Sequence, residues 1–291
     1  MSPLKGIDVS NWQGRSFDWE AQHAQGVDFA YIKATEGTTY KDPDFARNWR
    51  VAAQRGINRG AYHFFHPAES PQAQVAAFMN MITENGGLLP GDLIAMDYEV
   101  SDNLAPGVAA TAAATFAHDV EMITKASCTV YTYRDFIDEG YCDGLASYPL
   151  WLADPGAIEV PVPPPWNLIS FLQVGQRGVD QDYGYFPDVA QLLKLGVPAD
   201  ARQINKIQPA TGRTVTPEPA AAAAAAPAYI PGRQVTIPAL VGATVTPPAA
   251  AVDHLSAAKQ FLAEVEKAGS MPAMAALAHV LVAAVERFAA L

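Results

Sequence analysis

The chain is short of cysteine, of basic residues and of long apolar runs, and each shortage removes a class of protein. Cys128 and Cys142 are its 2 cysteines in 291 residues, too few for a disulfide framework and without zinc-site spacing; one bridge between them is open to the sequence, but two free buried thiols are expected. Against 30 Asp and Glu stand 19 Lys and Arg, a net charge of -11, so no basic stripe exists to meet nucleic-acid phosphates. The same excess argues against simple attraction to an anionic membrane or cell wall, so attachment to such a surface must be specific. No stretch reaches the roughly 20 apolar residues of a transmembrane helix; the nearest, 273–285, holds His279. Met1-Ser2-Pro3-Leu4-Lys5 is not an apolar signal segment, so any substrate outside the membrane is expected to be reached by another route. A phosphate-binding glycine loop and a Gly-x-Ser-x-Gly elbow are missing. His63 and His66 stand at i and i+3, opposite sides of a strand, so they predict no shared metal site, and no cofactor is expected.

What is present is 50% hydrophobic, enough for one substantial core and an appendage. Over residues 1–197, predicted strands (6–10, 27–34, 59–66, 93–99, 129–132, 149–153 and 168–174) alternate with predicted helices (17–25, 43–55, 71–84, 107–125 and 188–195). Such alternation implies an α/β fold with a parallel sheet. Because the later strands have shorter helices or none, the prediction is a barrel with a regular first half and an irregular second. In such barrels the chemistry gathers at the C-terminal ends of the strands.

Residues 198–251 then turn rich in Pro, Ala, Thr and Val, with alanine throughout 220–226, which reads as a semi-rigid linker. Residues 252–291 regain helical periodicity in two stripes, one through Leu255, Phe261 and Leu262, the other through Leu277, Leu281 and Val285, separated by Gly269, Ser270 and Pro272. A helical hairpin is expected. So short a hairpin buries little alone, so self-association or docking on a partner is expected as well.

Three carboxylates close predicted strands: Asp8 after Gly6-Ile7, and Asp97 and Glu99 after Leu93-Ile94-Ala95-Met96. Asp8 alone is equally a helix cap or a solvated loop residue. In the pair, i and i+2 point to one face roughly 7 Å apart along the strand. Two such carboxylates can divide labour, one protonated as a general acid and the other ionised beside positive charge, as cleavage of an acetal between sugars requires.

The segments Gly6-Ile7-Asp8-Val9-Ser10-Asn11-Trp12-Gln13-Gly14, Tyr31-Ile32-Lys33-Ala34-Thr35-Glu36-Gly37, Gly60-Ala61-Tyr62-His63-Phe64-Phe65, Asp97-Tyr98-Glu99, Leu150-Trp151-Leu152-Ala153 and Val179-Asp180-Gln181-Asp182 resemble, in that order, the glycoside hydrolase family 25 lysozymes. The resemblance covers residue 4 to about 195. It implies an irregular (β/α) barrel that cleaves the β-1,4 bond between N-acetylmuramic acid and N-acetylglucosamine in peptidoglycan. It places the catalytic acid on Glu99, its partner on Asp97, the first-strand aspartate on Asp8 and the late aspartate on Asp180. Asp182 stands where the family usually has asparagine; it is expected among the substrate contacts, and which of the two aspartates faces the sugar is left open. The family's favoured mechanism uses the substrate's acetamido oxygen as nucleophile, with Asp97 ionised to orient it; direct inverting attack by water remains the alternative.

Tyr62, Tyr131 and Trp151 fall at strand ends, where rings can stack on sugars, whereas alternation turns Tyr98 and Tyr133 outward. Lys33 and Glu36 are expected to form a supporting ion pair, and Trp12 and Trp19 to pack the barrel base or a loop. Two rivals are a non-catalytic peptidoglycan-binding barrel and a hydrolase of a related N-acetylglucosamine polymer. The setting expected from the sequence is a phage endolysin made in the host cytoplasm, or a bacterial enzyme exported by another route, whose tail targets the wall or self-associates.

Overall fold

The computed structural model describes residues 2–155, 160–176 and 178–201. The expected linker at 198–251, beyond residue 201, and the expected hairpin at 252–291 lie outside the described residues. The strands are β1 (Leu4–Val9), β2 (Phe29–Glu36), β3 (Tyr40–Lys41), β4 (Asn58–Phe64), β5 (Leu93–Asp97), β6 (Cys128–Tyr133), β7 (Leu150–Ala153), β8 (Phe171–Gln176) and β9 (Asp180–Gly184). The helices are α1 (Trp19–Ala24), α2 (Phe45–Gln54), α3 (Pro71–Glu84), α4 (Pro106–Thr124), α5 (Arg134–Asp138) and α6 (Val189–Leu192).

The sheet closes on itself as an irregular α/β barrel. From β1 through β2, β4, β5, β6 and β7 to β8, every neighbouring pair is parallel. The last strand, β9, is antiparallel to both β8 and β1 and seals the gap, while β3 only extends the end of β2. Helix ends follow local chemistry: α3 starts at Pro71 behind Ser70, whose hydroxyl accepts from the Ala73 amide, and α4 starts at Pro106 and stops at Lys125 in a left-handed turn, as expected of residues that pre-set or end a helix.

Period-two alternation sorts the strand residues into two cores. Outward residues such as Ile7, Ile32, Ile94, Met96, Val130 and Leu152 join Phe78, Phe116 and Val120 from the helices. Inside the barrel, Phe29, Tyr31, Leu93, Trp151 and Phe171 fill the lower half, with Tyr31 stacked on Trp151 at 4.6 Å. The packing is close enough that a Cβ on Gly6 would overlap the Phe29 ring. At the base, Arg59 grips Asp92 through two 2.9 Å bonds, and its guanidinium lies 3.8 Å from the Trp49 ring centroid. The chain after α6 returns to this base, where the Val197 amide donates to the Asp92 carbonyl and the Ser127 amide to the Leu195 carbonyl.

Candidate active site

With the lower barrel filled by aromatics, the inward positions nearest the C-terminal strand ends are left to polar side chains. They line an open cleft of about 630 Å³. Asp8 comes from β1, Asp97 from the last position of β5 and Asp180 from the first position of β9, where β9 runs opposite and sits in register with Asp8. Glu99 follows β5 by two residues and also lines the cleft. The predicted strand 93–99 thus ends at Asp97, yet the pair keeps its common face. Tyr98 holds it there: fully buried outside the barrel, it packs edge-on against Phe65 and Phe136.

The supporting contacts are specific. Gln173 of β8 donates its Nε2 to Asp8 Oδ2 at 2.7 Å and accepts the Tyr131 hydroxyl at 2.9 Å. Lys33 of β2 reaches the cleft and bonds Glu36 at 2.7 Å, the expected ion pair. Glu36 in turn faces His66, 3.6 Å away, which pairs with Asp102 at 3.0 Å in the loop after Glu99.

The model of glycosyl hydrolases family 25 matches residues 7–183. The chain belongs to this family. It is 36% identical to lysozyme M1 of Streptomyces globisporus over 195 residues, 61% of this chain and 64% of that protein, so it spans just under two thirds of that curated relative. Among solved structures it is similar to a bacterial lysozyme of Streptomyces coelicolor (TM-score 0.60, 32% identity, 67% of this chain and 98% of the other). It is also similar to a muramidase of Acremonium alcalophilum (TM-score 0.58, 28% identity, 66% and 98%).

In this family 25 barrel Asp8, Asp97 and Glu99 are all raised above their ordinary carboxylate values. Burial, the Asp180 charge and the Glu99 charge push Asp8 up to about 8, against the pull of the Gln173 bond. Burial first and the Glu99 charge second hold Asp97 well above the carboxylate range, with Lys33 drawing it back. Among the described residues no hydrogen bond reaches its buried Oδ1, which withholds one source of support for the ionised form. Glu99 is raised by burial and lowered by Lys33. The expectation that like charges would hold the proton on Glu99 while Asp97 stays ionised is therefore corrected. Burial is the leading cause for both, and the more enclosed Asp97 is strongly raised as well. Two coupled groups of this kind share their protons.

Three further placements follow. Asp182 lies on the same face of β9 as Asp180 but one step deeper, opposite Gly6; it is 2% exposed and accepts the Trp151 indole N–H at 2.9 Å. It is a buried support below the cleft, which corrects its expected role as a sugar contact and answers which aspartate faces outward: Asp180. Tyr62, Tyr131 and Trp151 do line the cleft, Trp151 mostly as its floor at 2% exposure. Burial raises the Tyr62 and Tyr131 phenols, which stay neutral donors. Trp19 is buried, its indole N–H bonded to Asn48 at 3.1 Å, whereas Trp12 is 88% exposed at the cleft rim, contrary to the expected packing role. Gln173 was not expected; its one signal is a polar side chain two residues after Phe171, on the inward face of β8.

Proposed function

We propose that the chain is a muramidase that hydrolyses the β-1,4 bond between N-acetylmuramic acid and N-acetylglucosamine in bacterial peptidoglycan. The observation that carries this reading is the meeting of Asp8, Asp97, Glu99 and Asp180, from separate parts of the chain, in one open cleft of a family 25 barrel. Relatives described as a lysozyme and a muramidase support it. Glu99, half-buried and raised by that burial, gives its proton to the leaving oxygen as the glycosidic C–O bond breaks. The substrate's acetamido oxygen forms the new bond to the anomeric carbon; with the shared proton on Glu99, Asp97 is left ionised, accepts the amide N–H and stabilises the cyclic cation. Water then opens the ring, its proton returning to Glu99. Asp8 and Asp180 line the same cleft and hold water or sugar hydroxyls. Tyr62, Tyr131 and Trp151 contact the sugar rings.

The test is release of reducing ends from purified peptidoglycan, with mass analysis of the products and Glu99→Gln as control. Reduced products ending in muramitol are expected. Turnover that survives Glu99→Gln would remove the acid assignment, binding without cleavage would make the barrel a recognition module, and preference for chitin oligomers would change the substrate. In biological setting, the reading extends to a phage endolysin that is made in the host cytoplasm and lyses the host wall, supported by the Pro/Ala-rich stretch and striped segment that follow the barrel in sequence. Comparing the full chain with one ending at residue 201, for lysis of cells, binding to intact walls and molecular mass, checks that extension and the tail's assigned role in wall binding or self-association.

A further inference from the structure

Trp12 stands apart from the other tryptophans. Trp19, Trp49, Trp151 and Trp166 are between 0% and 6% exposed, whereas Trp12 is 88% exposed and lines the rim of the cleft. An indole buries more apolar surface than almost any other side chain when it is packed, and this one forgoes that gain. The turn beneath it is nevertheless held from several sides. Ser10 caps it, accepting the Trp12 amide at 3.3 Å, and the Ser10 amide donates to Gln13 Oε1 at 2.8 Å. The Asn11 amide donates to the buried carboxylate of Asp42 at 2.9 Å, and the Tyr40 hydroxyl donates to Asn11 Oδ1 at 3.2 Å. Gly14, at φ 72, ends the turn where a side chain would be strained. A floppy surface loop would need none of these bonds. Their combined effect is to hold the backbone that carries an uncovered ring at the edge of the acidic cleft.

We propose that Trp12 is the stacking platform of a rim subsite that takes an N-acetylhexosamine ring of a β-1,4-linked glycan. The C–H face of a pyranose is apolar and matches an indole face, while its hydroxyls stay in water. A sugar chain is the occupant because the platform is continuous with the carboxylate cleft. The proposal rests on the glycan-hydrolase reading of that cleft, and its test does not depend on turnover.

The experiment uses the full chain carrying Glu99→Gln, with iodide quenching of tryptophan fluorescence measured with and without chitopentaose and, separately, uncrosslinked peptidoglycan strands. Trp12 supplies the quenchable fraction, which Trp12→Ala should remove. Saturating glycan is expected to shield it, and Trp12→Ala should weaken binding by roughly tenfold in calorimetry, with Trp12→Phe restoring most of the affinity and the melting temperature unchanged. Glycan that binds while Trp12 stays fully quenchable, or binds Trp12→Ala with unchanged affinity, overturns the platform and leaves the hydrolase reading intact. Failure of both glycans to bind overturns the platform as well. Failure of the unsubstituted chain to release reducing ends counts against the hydrolase reading alone.

Discussion

Replacing Gln173 with methionine removes the side-chain amide that donates to Asp8 at 2.7 Å, while nearly keeping the volume. Asp8 titrates at about 8 because burial and Asp180 outweigh that bond. A hydrogen bond to a charged group contributes about 1.5–3 kcal/mol, and one pKa unit corresponds to about 1.36 kcal/mol, so its loss moves the Asp8 midpoint up by roughly one to two units. The sign follows from the direction of the shift. Since the folded state holds a proton that the unfolded chain has released, Asp8 favours folding below its ordinary range near 3.8 and loses that contribution as the pH rises to about 8. In Gln173→Met the loss continues to roughly pH 9–10. The stability gap between the two proteins is therefore flat up to about pH 7 and widens by about 1.5–3 kcal/mol towards pH 10. Urea unfolding across that range measures it. A gap that is constant, or greatest in acid, refutes the coupling of Gln173 to the Asp8 carboxyl.

Arg59→Ala leaves the Asp92 carboxylate buried without its partner, so urea unfolding should show a loss of about 3–5 kcal/mol. Gly6→Ala drives a methyl group into the Phe29 ring and should cost about 1–3 kcal/mol in the same assay; a neutral result would mean that the ring moves freely. Lys33 lowers both Asp97 and Glu99, so Lys33→Met should shift the alkaline limb of the pH–activity profile upward, and a downward shift would contradict the electrostatic account.

The parallel part of the barrel was legible because its strands are apolar on both faces, as a sheet between a core and a helical layer requires. Asp97 and Glu99 were legible for a related reason: alternation fixes their common side even though the strand ends between them. Strand β9 was not expected, because Asp180-Gln181-Asp182-Tyr183-Gly184 has no apolar run. Its inward residues are the carboxylates themselves, so the chemistry of the site erased the pattern of the element that carries it. Depth was equally hidden. Asp180 and Asp182 share a face, and only the pairing with β1 shows that one reaches the cleft while the other is spent on Trp151. Trp12 was placed by its apolar character, and nothing in a local sequence window distinguishes a packed indole from one held out at a rim.

The return of the chain to the base after α6 has a practical consequence. Asp200 is exposed just past the point where Val197 is bonded to Asp92, at the end of the barrel opposite the carboxylates. A cysteine introduced there, with Cys128 and Cys142 sheltered inside the fold, would let the protein be immobilised on a bead or an electrode with its mouth turned to the surrounding liquid, free to meet a polymer too large to diffuse behind it.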